Sequence, residues 1–519
     1  MLTPPDKLDP LRDCVKHPIR ARTPNANYAA GSLHTFRKGT NVLKRRTLVW
    51  ILVGVCVVVG GKALQAAGFY AIAPLPLVTA AVAAVIANKG SRLLVAVGSA
   101  LFILLLAESA LSPGSMVTTA PLWASLVLVL GLAFTWRQLR LPRSAVLMLL
   151  LCGGLVLPTL AQGDMTLAAK ATGIVGLWFL IYVAAAHLTV AHRAKLLVVI
   201  VGAGCVEATL AVLESLLKWD VIRTYVTANA SDGYIVRPNV ILGDWTNRAQ
   251  GTIGYAIPFG AFIVLAILIV VFGGVVRGRG WKAAIVGLLS VAILLAGARS
   301  AIAALAFGLG IGFVFTVIRA RRMGVRVPGL KGMIIALTGL VAAGLVFFVR
   351  AIATRDFSLA HRGGVVESAV NMIDLPPLQL IFGSGYHSAD KLFESGILHT
   401  DGERIVDNTL LTQLIFAGLV GLVLLIAVVT IAFVRSPILG KAVLAAVFTL
   451  FFFYDLASWH LSMFVVFLFV GFASSPSSWR SARNATEIEK PLGLATKPSG
   501  EGAANVVPAT PSNRSERPA

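Results

Sequence analysis

The sequence predicts an all-α polytopic membrane protein with about 14 transmembrane helices and two long extracytoplasmic loops. Of its 519 residues, 57% are hydrophobic and only 13% are charged. The mean hydropathy of +0.84 is too high for a chain whose surface faces only water. Long apolar runs recur along the chain, and each can cross the roughly 30 Å hydrocarbon layer of a bilayer, some with help from flanking residues.

The transmembrane domain is predicted over residues 47–474, between a basic cytoplasmic tail (1–46) and a disordered cytoplasmic tail rich in Pro, Ser, Asn and Thr (475–519). Two polar stretches, 218–251 and 350–407, interrupt the apolar runs and form the predicted outer loops. The predicted spans are Leu48–Ala66, Phe69–Ala87, Leu93–Ala107, Val117–Trp136, Ser144–Ala161, Thr166–Ala186, Ala194–Leu217, Thr252–Gly274, Trp281–Gly297, Ser300–Ile318, Gly332–Val349, Leu410–Val434, Ile438–Leu456 and Trp459–Ala473.

The distribution of charge predicts the orientation in the membrane. With the N-terminus placed in the cytoplasm, the loops that fall inside carry Lys and Arg but no Asp or Glu, as the positive-inside rule requires. This pattern persists through all the predicted spans, so both termini are predicted to be cytoplasmic and both long loops to lie outside. Topology thus accounts for most of the net charge of +22, and no nucleic-acid partner is predicted.

Arginines on the predicted outer side depart from this rule and indicate an anionic ligand. Arg248 and Arg299 adjoin apolar spans and are expected at the outer membrane boundary, and Arg362 lies in the second outer loop. The competing interpretation is that they contact phospholipid headgroups. Trp and Tyr residues near span ends are interpreted as interfacial anchors rather than as sugar-binding surfaces.

The second outer loop contains further candidate residues. Val366, Val370 and Ile373 recur at helical spacing and predict an amphipathic helix on the membrane surface. Beyond it lie His399 and an acidic segment with Asp401, Glu403 and Asp407. A weak divalent-cation site at these acids is an open alternative to a solvated turn, which is favoured, and no metal or cofactor is predicted.

Three charged residues lie inside predicted spans. Glu207 and Glu214 fall seven residues apart on one face of the seventh span, and Lys170 lies in the sixth. Ionisable groups in a membrane indicate a function such as proton coupling. A structural pair between Lys170 and a glutamate is an equally good interpretation, so a secondary transporter or exporter of a small anion or polysaccharide precursor remains an alternative function.

The order of four motifs resembles that of bacterial O-antigen ligases and O-antigen polymerase-like integral membrane proteins. The motifs cover roughly the half of the chain from Arg248 to Val434. They are RAQGTIGYAIPFGAFIVLAI from Arg248, LLAGARSAIAALAFG from Leu294, RGGVVESAVNMIDLPPLQLIFGSGY from Arg362 and DNTLLTQLIFAGLVGLVLLI from Asp407.

This resemblance implies a GT-C-like, metal-independent membrane glycosyltransferase in the bacterial cytoplasmic (inner) membrane. Its donor would be an undecaprenyl-diphosphate-linked oligosaccharide and its acceptor a glycan or lipid, with other polysaccharide assembly proteins as possible partners. Arg248, Arg299 and Arg362 would bind the diphosphate. Asp407 or His399 would act as the catalytic base, and because Asp407-Asn408 stands where ligases often have His-Asn, the pair favours a polymerase slightly over a ligase.

Overall fold

A computed structural model describes residues 75–107, 114–218, 238–239, 241–324, 339, 364, 367–399 and 406–475. The chain divides into two compact units at residue 80. Of the first unit, only residues 75–80 are described, and they begin a helix. The predicted tails, 1–46 and 475–519, therefore lie outside the described residues except for Ser475.

The described part of the chain is almost entirely helical, as the sequence predicts. Twelve of the predicted spans overlap with helices here, the span Phe69–Ala87 only from residue 75 on, whereas the spans at 48–66 and 332–349 lie outside the described residues apart from residue 339. The helices are α1 (Leu75–Ala87), α2 (Arg92–Ala107), α3 (Gly114–Ala133), α4 (Ala145–Ala161), α5 (Met165–His187), α6 (Val190–Leu216), α7 (Ala256–Phe272), α8 (Arg279–Ala296), α9 (Arg299–Arg322), α10 (Pro377–Phe382), α11 (Ala389–Glu394), α12 (Thr409–Arg435), α13 (Ile438–Phe451) and α14 (His460–Ala473).

The long helices have the length and composition of membrane spans. Among the described residues, five helices (α5, α6, α8, α9 and α12) are long and apolar enough to cross a bilayer, and seven more are apolar but shorter. Many large hydrophobic side chains on their outer faces are exposed, for example Val146, Leu157 and Val206 at 60% or more. Such surfaces are expected to face lipid, so the fold is that of a helical membrane protein.

The short connection around Arg299 separates two helices, as predicted. Helix α8 ends at Gly297, which adopts a left-handed conformation with φ of 60°. A side chain at this position would meet the amide of Asn239, which explains why a glycine ends α8. Helix α9 then begins at Arg299.

Helix α12 differs from the single uninterrupted span that the sequence predicts. Gly418 breaks it with φ of 64° and ψ of −165°, a conformation that is available almost only to glycine. The carbonyls of Ile415 and Phe416, just before the break, accept hydrogen bonds from the amides of Ser384 and Gly385 at 2.7 and 3.1 Å. The segment predicted as the second outer loop thus supplies the partners that the interrupted helix lacks.

The first outer loop contains the two strands found in the described chain, which the sequence did not predict. Strands β1 (Pro238–Asn239) and β2 (Gly243–Asn247) pair antiparallel, with Pro238 opposite Asn247. The second outer loop contains helical residues 367–371, a 3-10 turn over Met372–Asp374, and helices α10 and α11. The helix predicted there is present, and its Val370 and Ile373 are exposed while Met372 is buried.

Hydrogen bonds between helix ends define two opposite ends of the helical bundle. At one end, here named the site end, the last turn of α6 contacts the chain before α7, and the start of α12 contacts the chain after α13. Thr159, near the end of α4, contacts residue 386 at the same end. At the opposite end, the Arg193 guanidinium at the start of α6 donates to Phe472 at the end of α14.

Candidate functional site

The arginine loop, residues 248–252, lies at the site end and is held by two glutamates of α6. The amides of Gln250 and Gly251 donate to Glu214 at 3.2 and 3.1 Å. The amide of Thr252 donates to Glu207 at 2.8 Å, and the Thr252 hydroxyl bonds the same carboxylate. Both glutamates therefore bind consecutive groups of one loop, and Lys170 is exposed on α5.

The arginine loop also contacts the junction between α8 and α9. The Arg248 Nε donates to the carbonyl of Ala296 at 3.1 Å, and the amide of Ala249 donates to that of Leu295 at 2.8 Å. Asn239 donates to the carbonyls of Leu294 and Leu295. The last carbonyls of α8 would otherwise have no partner within the helix, so the first outer loop caps α8 and places Arg248 beside its end.

The two arginines predicted to bind a diphosphate are thus brought to one junction. Arg299 is the first residue of α9, three positions beyond the carbonyl that Arg248 binds, and both side chains are half-buried. Gly260 of α7 lies against this region, since a side chain there would approach Ala301 to 2.8 Å. Arg362, the third predicted arginine, lies outside the described residues.

The start of α12 is bound to the connection between α13 and α14. Asn408 caps α12 by accepting from the amide of Leu411 at 2.9 Å, and its side-chain amide donates to the Phe452 carbonyl at 3.2 Å. The buried Thr409 hydroxyl donates to Tyr454 at 2.7 Å and accepts from the Leu456 amide at 2.9 Å. These bonds hold Asp407, the residue before Asn408, close to residues 452–456.

Asp455 is the acidic residue of this connection, and the sequence analysis did not select it. Its carboxylate accepts from the Ala457 amide at 3.0 Å and from the Ser458 hydroxyl. Burial, with a smaller contribution from the charge of Asp407, raises the pKa of Asp455 to about 7, and this outweighs the hydrogen bonds from Ser458 and Ala457 that favour the charged form. The sequence feature that could have identified Asp455 is its position as an isolated acid within the apolar run Ile438–Leu456.

The second outer loop brings Tyr386 close to Asp455 at the site end. The Tyr386 amide donates to the Thr159 hydroxyl at 2.9 Å, and Gln162 donates to the Ser384 carbonyl. Burial raises the pKa of the Tyr386 hydroxyl, and the charge of Asp455 adds to this effect. Asp407, Asp455 and Tyr386, here named the acid cluster, therefore interact electrostatically at the site end.

His399, the other predicted base, has different neighbours. Its Nδ1 lies 3.3 Å from a Glu367 carboxylate oxygen, and its amide donates to the Ser368 hydroxyl at 2.8 Å. Its side chain is 40% exposed. The described contacts of His399 are thus with the helical residues 367–371. Asp407, by contrast, lies beside Asp455.

Aromatic side chains connect the arginine loop to the acid cluster. Tyr255, which precedes α7, contacts Trp459 edge to face with ring centroids 5.1 Å apart. Trp459 in turn lies 6.1 Å from Tyr454, the residue before Asp455. A small apolar pocket between α7, α13 and α14 is lined by Pro258, Leu456 and Leu461, among others.

Among the described residues, no group of three His, Cys, Asp or Glu side chains is arranged to hold a metal ion. Asp401 and Glu403, two of the three acids considered for a divalent cation, lie outside these residues.

The fold and its charged site end define a helical membrane protein. Comparison with known proteins gives no match: no family model, no curated protein and no solved structure matches this chain.

Proposed function

We propose that this protein transfers or polymerises glycan from an undecaprenyl-diphosphate-linked donor onto an acceptor glycan or lipid. The site end would face the outside of the bacterial cytoplasmic membrane, with both termini cytoplasmic and about 14 spans in all. The observation that carries the proposal is the convergence of Arg248 and Arg299 at the α8–α9 junction, at the same end of the bundle as Asp407.

The reaction follows from the charges at this end. An acceptor hydroxyl attacks the anomeric carbon of the donor sugar, and the bond from that carbon to the diphosphate oxygen breaks. The diphosphate takes the bonding electron pair, and the two guanidinium groups stabilise its charge by charge-assisted hydrogen bonds. The acceptor's proton passes to the carboxylate of Asp407, with the His399 imidazole as the alternative acceptor.

Asp455 adds a second group that can hold a proton beside the proposed base. Its raised pKa comes mainly from burial, so this carboxyl can bind a proton near neutral pH next to Asp407. The pair Asp407-Asn408 inclines the proposal toward a polymerase, with a ligase as the closely related alternative.

The test uses purified protein and mass-tagged undecaprenyl-diphosphate glycan. We expect Arg248→Ala and Arg299→Ala each to lower turnover on the order of 100-fold, with partial recovery in the lysine variants, which keep the charge but lose the bidentate geometry. Arg137→Ala, an exposed arginine near the opposite end, is the control.

The product distinguishes the activities. A product of higher mass on the same carrier indicates a polymerase, and glycan on a different lipid indicates a ligase. Unchanged turnover in well-folded Arg248→Ala and Arg299→Ala proteins would contradict the proposed role of the arginines.

A secondary transporter is the second candidate, because helix α12 is discontinuous and broken helices are common in transporters. However, the amides of Ser384 and Gly385 already bind the carbonyls before the break. Glu207 and Glu214 bind the backbone of the arginine loop. Proton-coupled anion uptake into proteoliposomes that is lost in Glu207→Gln, without glycan transfer, would favour the transporter.

A further inference from the structure

Three aromatic side chains at the site end form a continuous group, here named the aromatic row: Tyr255, Trp459 and Tyr454. Tyr255 is 64% exposed, Trp459 is half-buried and Tyr454 is buried. The planes of Tyr255 and Trp459 are inclined by 71°, and those of Trp459 and Tyr454 by 39°. Tyr454 is therefore the buried end of the row, and the ring of Tyr255 at the other end is open to a ligand.

Aromatic residues at the opposite end are arranged differently. Trp136 and Trp281 are 66% and 72% exposed. The guanidinium of Arg137 lies 5.8 Å from the Trp136 ring, and Trp281 stands between Arg279 and Lys282 in the sequence. Separate rings beside basic residues are typical of membrane-interface anchors. The aromatic row is distinct from them because its rings contact one another.

The position of the row relates it to the two charged parts of the site. Tyr255 follows Gly251 of the arginine loop by four residues, and Trp459 follows Asp455 by four residues. The small apolar pocket is lined by the neighbouring residues Pro258, Leu456 and Leu461. The ring contacts of the row therefore connect the segment that follows the arginine loop to the residues that adjoin Asp455.

We propose that the aromatic row binds a sugar ring of the donor glycan, whose C–H face stacks on the exposed ring of Tyr255 while its rim contacts Trp459. This inference rests on the proposed function. A pyranose ring has an apolar face and polar edges, so it matches aromatic rings that lie between a carboxylate and guanidinium groups. By holding the sugar between the leaving diphosphate and the catalytic base, the row would position the donor for the reaction.

The experiment uses the full-length protein in lipid nanodiscs and the oligosaccharide released by mild acid from the host's own lipid-linked glycan. Saturation-transfer NMR with irradiation of the aromatic protons reports on contact between rings and sugar. We expect transfer to the sugar C–H protons in the parental protein, its loss in Tyr255→Ala/Trp459→Leu, and its retention in Trp281→Leu. Tyr255→Phe keeps the ring and should retain the signal.

Turnover of the intact lipid-linked donor is measured on the same preparations. The double variant should raise KM for the donor by about tenfold, whereas Tyr255→Phe, which keeps the ring, should raise KM much less. Absence of saturation transfer in the parental protein, or an unchanged signal or KM in the double variant, would overturn the row as a sugar site. Transfer without any turnover would support the row and contradict the proposed function.

Discussion

Asp455 carries a carboxyl group in a place where a charge is costly. It is buried in the connection between α13 and α14, where the Ala457 amide and the Ser458 hydroxyl donate hydrogen bonds to it. Asp407 adds a second carboxylate to this environment. Asp455 therefore makes the stability of the folded protein depend on pH.

Asp455→Asn should remove part of the pH dependence of stability. The pKa of Asp455 is raised from 3.8 to about 7, so the folded protein binds this proton more tightly than the unfolded chain. Its stabilising contribution is complete below pH 4 and is lost as the pH rises toward 7. We expect the parental Tm in detergent to fall over this interval more steeply than the Tm of the variant.

The matched control for this measurement is Asp374→Asn, because Asp374 is exposed in the second outer loop. This variant should retain the parental slope of Tm against pH. Equal slopes for Asp455→Asn and the parental protein would contradict the assignment of a raised pKa to Asp455.

Many of the polar contacts that join the described helices lie near helix ends. At the opposite end from the site, the Arg193 guanidinium is buried and donates to Leu188, Ala185 and Ala186 after and within the last turn of α5, and to Phe472 in α14. The Arg193 guanidinium thereby donates hydrogen bonds to carbonyls at the ends of two helices that pack against each other.

Arg193→Met should separate the ends of α5 and α14 and destabilise the protein by about 2–4 kcal/mol, because several buried carbonyls lose a charged donor. Thermal unfolding in detergent measures the effect as a lower Tm. Lys195→Met removes the same charge from an exposed position two residues later and should leave Tm nearly unchanged. Similar losses in both variants would mean that charge alone, and not the hydrogen bonds, stabilises this end.

The break in α12 joins the second outer loop to the transmembrane helices. A side chain at position 418 would collide with the backbone of Ile381 and Gly383. Since the φ and ψ of Gly418 are also nearly restricted to glycine, Gly418→Ala should displace residues 381–385 and, with them, Tyr386. We expect a destabilisation of about 1–3 kcal/mol or more, together with reduced glycan transfer.

Gly176→Ala provides the control for this substitution, because Gly176 is helical in α5 and nothing lies within 4 Å of the added methyl group. This variant should be as stable as the parental protein or slightly more stable. Protease sensitivity of the second outer loop, compared between the two variants, separates local displacement from general unfolding. A Gly418→Ala protein with parental Tm and protease resistance would contradict this account.

At the scale of the whole molecule, the part that the structure describes has two chemically different ends. Arginine and lysine side chains in acid-free connections characterise one end, whereas carboxylates and the half-buried Arg248 and Arg299 occupy the site end. The proposed orientation places the site end outside, where no nucleotide-sugar pool exists and a lipid-linked donor supplies its own leaving group.

Cysteine labelling in intact cells tests this orientation. In a variant whose four natural cysteines are replaced, Met165→Cys at the site end should react with a membrane-impermeant maleimide, and Trp281→Cys should react only after the cells are opened. Both positions are 72% exposed, so a difference in labelling reports on sidedness. The reverse pattern would place the site end in the cytoplasm and contradict the proposed reaction.

The sequence by itself determined the class of protein and the positions of most helices, because the length of each apolar run and the charges of each connection can be read from the residues that form them. It also selected Arg248, Arg299 and Asp407. Only the tertiary structure showed the break at Gly418, since that conformation depends on a distant segment that binds the freed carbonyls. The tertiary structure likewise revealed Asp455 beside Asp407, because residues 48 positions apart become neighbours only through the packing of α12 against α13.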